Sequence, residues 1–443
     1  MPAQWTTEQV LALAPDAASA KNGRGLATQQ KWVTLGSQEL IIWGECQGSG
    51  RQPYQTQIDL SEPAFKCSCP SRKFPCKHGL GLFLLLAEQP QAISAAEPPD
   101  WVAAWLTSRS QHAAQQAEKQ AKRQEKAIDP VAQAKRAAQR QDKVSAGVQD
   151  LRLWLEDRVR QGFATLPQES YQMWDAIAAR MVDAQAHGLA RQLRELGGAV
   201  HSGPGWSDRV LEGCGRLYLL LAGFEQLASL PAPMQADLRT QIGWSSSQEE
   251  VLTGDAHVDL WLVVGQQTQE EDRLKTRRTW LYGLGTTTFA LLLEFAHGQQ
   301  AFEHCLLPGS CLEAELVFYP SAYPLRALIK TRQEAVLLSK TPPGSASIPT
   351  AIAAYSQAVA KSPWIERFPL LLQAAIPQRS GDGWCILDPQ GSVLPLSSRL
   401  DPHQAWQLLG LSGGHPVAVF GEWDGKALLP FSVWVEDSFY DFN

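Results

Sequence analysis

Residues 67–78, CSCPSRKFPCKH, hold three of the chain's eight cysteines and one of its nine histidines, and the leucine-rich run GLGLFLLLA follows at once. Cys67 and Cys69 are two apart, so on a strand both side chains point to one side. Cys76 and His78 repeat that spacing after the loop PSRKFP, whose prolines stiffen the return. The array Cys-x-Cys, six residues, Cys-x-His offers four soft or borderline donors. A tetrahedral zinc ion takes such a set at about 2.3 Å from sulfur and about 2.0 Å from nitrogen. Four protein donors fill that shell, so the site reads as structural, with metal binding and local folding a single event. A redox pair would more often be Cys-x-x-Cys, and a disulfide would leave an odd cysteine and an idle histidine.

The surroundings of the cluster set its architecture. TTEQVLALA reads as a short helix with Thr6 or Thr7 capping its first turn. KWVTLG, ELIIWGEC and YQTQIDL read as strands, and the leucine run as a helix with His78 at its start. Residues 1–95 are therefore expected to form one small α+β module around the metal.

Beyond it the character of the chain changes three times. Residues 96–130 open an Ala/Gln-rich basic stretch, with nine Lys or Arg against four Asp or Glu between Arg109 and Lys143. It reads as a solvated helix or connector; a nucleic-acid tether is the alternative, although aromatic residues for base stacking are missing. Asp129-Pro130 looks like a cap and a first-turn proline that restart a helix. Residues 131–245 carry helical periodicity: Val148, Leu151, Leu155 and Val159 fall on one face, as do Trp174, Ile177 and Met181. QGF at 161–163, HGL at 187–189 and GGAV at 197–200 read as helix ends, giving four or five helices. Residues 246–443 switch to period two and short apolar runs (VDLWLVVG, RTWLYGLG, FALLLEFAHG, LEAELVFYP, GWCILDP, PVAVFGEWDG, FSVWVED), the pattern of antiparallel strands, interrupted by a helix at PTAIAAYSQAVAKS. The fold class expected is thus α+β multidomain: a small N-terminal ββα module, an all-α middle and an antiparallel β-rich C-terminal region.

At 443 residues, 44% apolar and 19% charged, the chain suits several globular units rather than disorder. The start MPAQWTTEQV has neither a basic end nor an apolar run, and the longest apolar stretches, 80–87 and 217–224, are far shorter than the roughly 20 residues that span a bilayer. A cytoplasmic setting with no membrane contact is expected. A net charge of −6 argues against a protein that coats nucleic acid along its whole length.

The spacing of the cluster, with WGECQGSGRQPY upstream and FKCSCPSRKFPCKHGLGL across it, resembles the SWIM-type zinc finger and the bacterial SWIM zinc-finger family. The match is specific over roughly residues 30–90, and softer features such as MWDAIAARMVDAQAHGLARQLREL extend it. The resemblance implies zinc as the cofactor, Cys67, Cys69, Cys76 and His78 as its ligands, and a strand-strand-helix arrangement around them. It also implies binding to DNA or to protein. Bacterial members are typically encoded beside a MoxR-type AAA+ ATPase and a von Willebrand A domain protein, which favours protein assembly.

Lys66, Arg72, Lys73 and Lys77 surround the cluster without an intervening acid, a patch that could meet phosphates or a partner, or only keep the loop soluble. Elsewhere the chemistry is thin. HCLLPGSC (His304, Cys305, Cys311) lacks a fourth donor; YGLGTTT is not a phosphate loop and reads as a turn. QEED at 269–272 reads as a charged loop, Cys46, Cys214 and Cys385 as buried thiols, and Asp382, Asp388, Glu422 and Asp424 as turn acids. With no catalytic residues recognised and no small-molecule substrate evident, the chain is expected to be a zinc-binding, non-enzymatic adaptor. A DNA-binding accessory protein is the alternative, and an enzyme with an unfamiliar site in the β region ranks last.

Overall fold

The computed structural model describes residues 7–442 apart from 15–16, 48–51, 61–63, 72, 74, 110–129, 170, 272–273, 299, 301, 305, 338–340, 382 and 437. Arg72, Cys305, Asp382, Thr6 and the core of the basic stretch lie outside the described residues.

In the N-terminal module, strands β1 (Trp32–Gln38), β2 (Ile41–Cys46), β3 (Tyr54–Asp59) and β4 (Ala64–Cys67) pair antiparallel in chain order. Strand alternation sends Ile42, Cys46 and Ile58 to one face, where they pack with helix α3 (Lys77–Glu88). Residues Leu80 and Leu82–Leu85 of α3 are all buried, because α1 (Thr7–Ala12) and α2 (Ala17–Arg24) pack on this helix as well. A helix apolar all round needs neighbours on both sides. The expected strand-strand-helix unit is β3-β4-α3, set inside this larger sheet. Helix α4, residues 100–109, is tied back to the sheet by an ion pair of Arg109 with Asp59 at 3.3 Å.

The middle is helical, as read. Helix α5 (Pro130–Gln161) begins at the proline that follows Asp129. α6 (Gln172–Asp183), α7 (His187–Ala199), α8 (Trp206–Glu225) and α9 (Ala232–Ile242) complete the bundle. Val144, Val148, Leu151 and Leu155 of α5 enter its core with Trp174, Ile177 and Met181. Val159, which the same spacing puts on that stripe, is 49% exposed, so the buried face ends a turn before the helix does. HGL at 187–189 opens α7 rather than ending a helix, and its glycine has a packing reason: a Cβ on Gly188 would lie 2.1 Å from the Gln241 carbonyl oxygen, so only glycine lets α7 meet α9 there. A short helix α10 (Gln248–Leu252), closed by a Ser247–Glu250 capping box, leads out.

The β region is two sheets. β5 (Ala256–Glu271), β6 (Leu274–Gly283), β7 (Phe289–His297), β8 (Ser310–Phe318) and β9 (Ala327–Leu337) pair antiparallel in the order β7-β6-β5-β8-β9. Its two edges meet where the Leu291 N–H donates to the Leu325 carbonyl at 2.7 Å, with a parallel bridge from Leu291 to Arg326. The sheet is therefore a partly closed barrel, filled by Trp261, Val263, Leu281, Leu292, Leu312 and Leu316. Gln269, Glu270 and Glu271 of the QEED segment belong to β5 in the β5–β6 hairpin rather than to a loop, with Glu270 opposite Lys275.

The second sheet has six strands in the order β12-β11-β10-β13-β14-β15: β10 (Phe368–Ser380), β11 (Gly383–Leu387), β12 (Val393–Pro395), β13 (Val417–Trp423), β14 (Leu428–Val435) and β15 (Ser438–Asp441). Phe420 and Phe431 pack against Leu262, Val264, Trp280 and Tyr282 of the barrel, and α11 (Ile348–Lys361) and α12 (Pro402–Ser412) pack on β10. Helical and β regions are docked: Trp364 is buried in the bundle core, and Asp237 of α9 accepts the Ala322 N–H at 3.1 Å. No helix among the described residues is long and apolar enough to cross a membrane.

Candidate metal centre

Strand β4 ends at Cys67, and α3 begins one residue after Cys76, so the site is the joint between the last strand and the helix. Cys76 is the N-cap of α3, and its sulfur accepts the Gly79 N–H at 3.5 Å. That places one sulfur at the positive end of a helix, where a thiolate is stabilised. His78, in the first turn, is buried. Its neighbour Gly79 leaves room for Phe65, whose ring carbon would meet a Cβ there at 3.0 Å.

The chain brings together all four residues named from the spacing: the donor atoms of Cys67, Cys69, Cys76 and His78 lie within 4.8 Å of one another. Nδ1 of His78 is 3.7 Å from the Cys67 sulfur and 3.9 Å from the Cys76 sulfur. Tetrahedral zinc with bonds of about 2.3 Å to sulfur and about 2.0 Å to nitrogen requires donor separations of about 3.5–3.8 Å. Both separations from His78 Nδ1 are already near those values. Three thiolates and one imidazole are a zinc donor set, and a closed one.

The Cys67 thiol donates to Cys76, which with His78 and the Gly79 N–H draws Cys76 down to about 4. The same hydrogen bond, together with burial, pushes Cys67 well above the ordinary thiol range. Burial raises Cys69 too. Cys46, buried at the end of β2, is raised by burial, with Lys77 pulling it down and Cys76 pushing it up; it is a further thiol near the centre, not one of the clustered donors.

Three of the four cations named from sequence lie among the described residues. Lys66 alternates with Cys67 along β4 and so projects from the other face of the sheet, Lys73 lies in the loop and Lys77 opens α3; all three are exposed. Two β3 residues missed in the sequence support the site. The Tyr54 ring lies 4.8 Å from the His78 ring, and the Thr56 hydroxyl is 3.2 Å from the Cys67 sulfur. The period-two pattern of YQTQID, which sets Tyr54, Thr56 and Ile58 on one face, was their signal.

Other assignments fall out as follows. Cys46, Cys214, Cys311 and Cys385 are buried thiols. Asp388 and Asp424 accept backbone N–H bonds in turns. Glu422 departs from its reading as a turn acid: it is inside β13, bonded to Arg278 and Trp280 of the barrel. An open groove of about 470 Å³ lies where α5, α9 and α10 meet, lined by Arg239, Trp244, Ser245 and Ser246 among others. Among its described lining residues the acid, Glu250, is engaged in the α10 capping box.

Residues 54–87 match the family model of the SWIM zinc finger, and residues 139–242 that of the SWIM-associated four-helix bundle domain. No curated protein and no solved structure matches the chain significantly. The first match spans β3, β4, the four ligands and nearly all of α3; the second spans the bundle from within α5 to the end of α9.

Proposed function

We propose that this chain, which joins a SWIM zinc finger to its associated helical bundle, is a cytoplasmic, non-enzymatic adaptor whose zinc centre shapes a surface for a protein partner. The observation that carries this is the closed donor set. Four protein ligands leave no coordination position for substrate or water, and the ligands tie β4 to a helix whose side chains fill the module core. Such a centre serves shape and not turnover. The resemblance to bacterial SWIM zinc-finger proteins suggests a MoxR-type AAA+ ATPase, acting with a von Willebrand A domain protein, as the partner that supplies the energy.

The test is a pull-down of tagged protein from its native cells, wild type beside Cys76→Ser, with zinc and nucleic acid assayed in the same eluates. The adaptor reading expects a protein partner that survives nuclease and is lost together with zinc. Nucleic acid in the wild-type eluate, with partners that vanish on nuclease treatment, would support the alternative. That alternative is a DNA-binding accessory protein using Lys66, Arg72, Lys73 and Lys77, favoured by the exposure of the three described lysines around the centre. It expects affinity that falls steeply with salt, by about one unit of log–log slope per phosphate contact. ATP hydrolysis by the purified chain alone would count against both readings.

A further inference from the structure

Thr56 occupies the middle of β3, is fully buried, and faces α3 in a row whose members Ile42 and Ile58 are hydrocarbon. Valine has the same branched shape and the same preference for strands, without a hydroxyl that needs a partner inside an apolar core. A threonine here therefore points to a use for the oxygen. The β3–β4 register sets Thr56 directly opposite Cys67, and its Oγ1 lies 3.2 Å from the Cys67 sulfur. Side chains paired across antiparallel strands sit about 5 Å apart at Cβ, close enough for a short hydroxyl to reach a neighbouring sulfur.

We infer that Thr56 is a positioning residue of the zinc centre: its O–H donates a hydrogen bond to the Cys67 thiolate. This fixes the direction of the sulfur before metal arrives and draws electron density from it afterwards. A hydrogen bond to an ionised acceptor is among the stronger kinds, and partners of this sort orient metal ligands and tune their basicity. Of the three cysteine ligands, Cys67 is the one held by a strand, so its orientation is inherited from the β3–β4 pairing; Cys76 has the Gly79 N–H in the same office at the helix end. The centre is thus supported from both elements that it joins.

The test uses the full chain, zinc-loaded or with cobalt(II) in place of zinc, and compares Thr56→Val, which keeps the shape and loses the hydroxyl, with Thr56→Ser, which keeps the hydroxyl and loses a methyl. Chelator competition should show zinc bound about 10- to 100-fold more weakly in the valine variant and close to wild type in the serine variant. In the cobalt form the sulfur-to-metal charge-transfer band should move to lower energy in the valine variant alone, and alkylation of Cys67 should be faster there. A purely packing role makes the opposite forecast: serine, which leaves a methyl-sized void, would be the more damaging change, with the band unmoved in both. That order of effects, or a valine variant equal to wild type in affinity and spectrum, overturns the assignment.

Discussion

Glu422→Gln isolates what a buried charge pair does for the β region. The carboxylate, with 1% of its side chain exposed, accepts from Arg278 Nε and Trp280 Nε1 at 2.9 Å each, and from a second Arg278 nitrogen at 3.2 Å. Arg367 approaches it to 3.7 Å from a more exposed position. Burial holds Arg278 below the ordinary guanidinium range, with Glu422 drawing it back up, and the remaining guanidinium bonds go to Gln269 and Gln267. Glutamine keeps the shape and still accepts the Trp280 N–H. It removes the counter-charge from an arginine with 7% of its side chain exposed. Leaving one member of a buried pair uncompensated costs about 3–5 kcal/mol.

At about 2–4 °C per kcal/mol for a unit of this size, a loss of about 3 kcal/mol lowers the midpoint by about 6–12 °C. Urea and thermal unfolding followed by tryptophan emission would read it, since Trp261, Trp280 and Trp434 are all in this region's buried interior. Arg278→Met alone should cost a similar amount by stranding the acid. The double variant should cost less than the two together by about 1.5–3 kcal/mol, because neither charge is then left alone. Simple additivity, or a loss below about 1 kcal/mol for Glu422→Gln, would refute the claim that this pair clamps the barrel to the second sheet.

Three other outcomes are expected. Gly188→Ala gains about 1 kcal/mol of helix preference, but its methyl would overlap backbone atoms of Gln241, Ile242 and Gly243; the overpacking dominates and stability falls by about 2 kcal/mol in thermal unfolding, whereas an unchanged midpoint would mean that α7 and α9 do not touch this closely. Zinc affinity weakens as pH falls: Cys67 and Cys69 lie above the ordinary 9.0 and are protonated at neutral pH without metal, while Cys76, at about 4, is not. Binding therefore displaces two thiol protons, and chelator competition should show a loss of about 100-fold per pH unit between about pH 8 and 7, a flat profile being the contrary result. Burial pushes Cys214 up to about 11 and Cys311 up to about 12, so mass spectrometry of alkylated native protein should find both unmodified until the chain is unfolded.

The parts of this molecule that were readable from its sequence are those whose causes are local. Chelation demands short spacings, so the four ligands announce themselves; a helix repeats its apolar face every three or four residues, so Trp174, Ile177 and Met181 show where a core lies. β10 went unread because Pro369 and Pro377 argue against a strand that turns out to be central, with a register shift between Leu372 and Ala375. Glu422 looked like a turn acid because Asp424–Ala427, two residues on, does make a turn; its partners Arg278 and Trp280 stand 144 and 142 positions earlier, on another sheet. Thr56 lies between these extremes. It is eleven residues from Cys67, and the period of YQTQID shows which face it takes but not that it meets Cys67, which only the pairing of β3 and β4 settles. A slip of one residue would set Gln55 or Gln57 opposite the ligand and turn the hydroxyl to the far face. The support of the metal is therefore a property of strand register, which is written in the whole sheet and not in the motif.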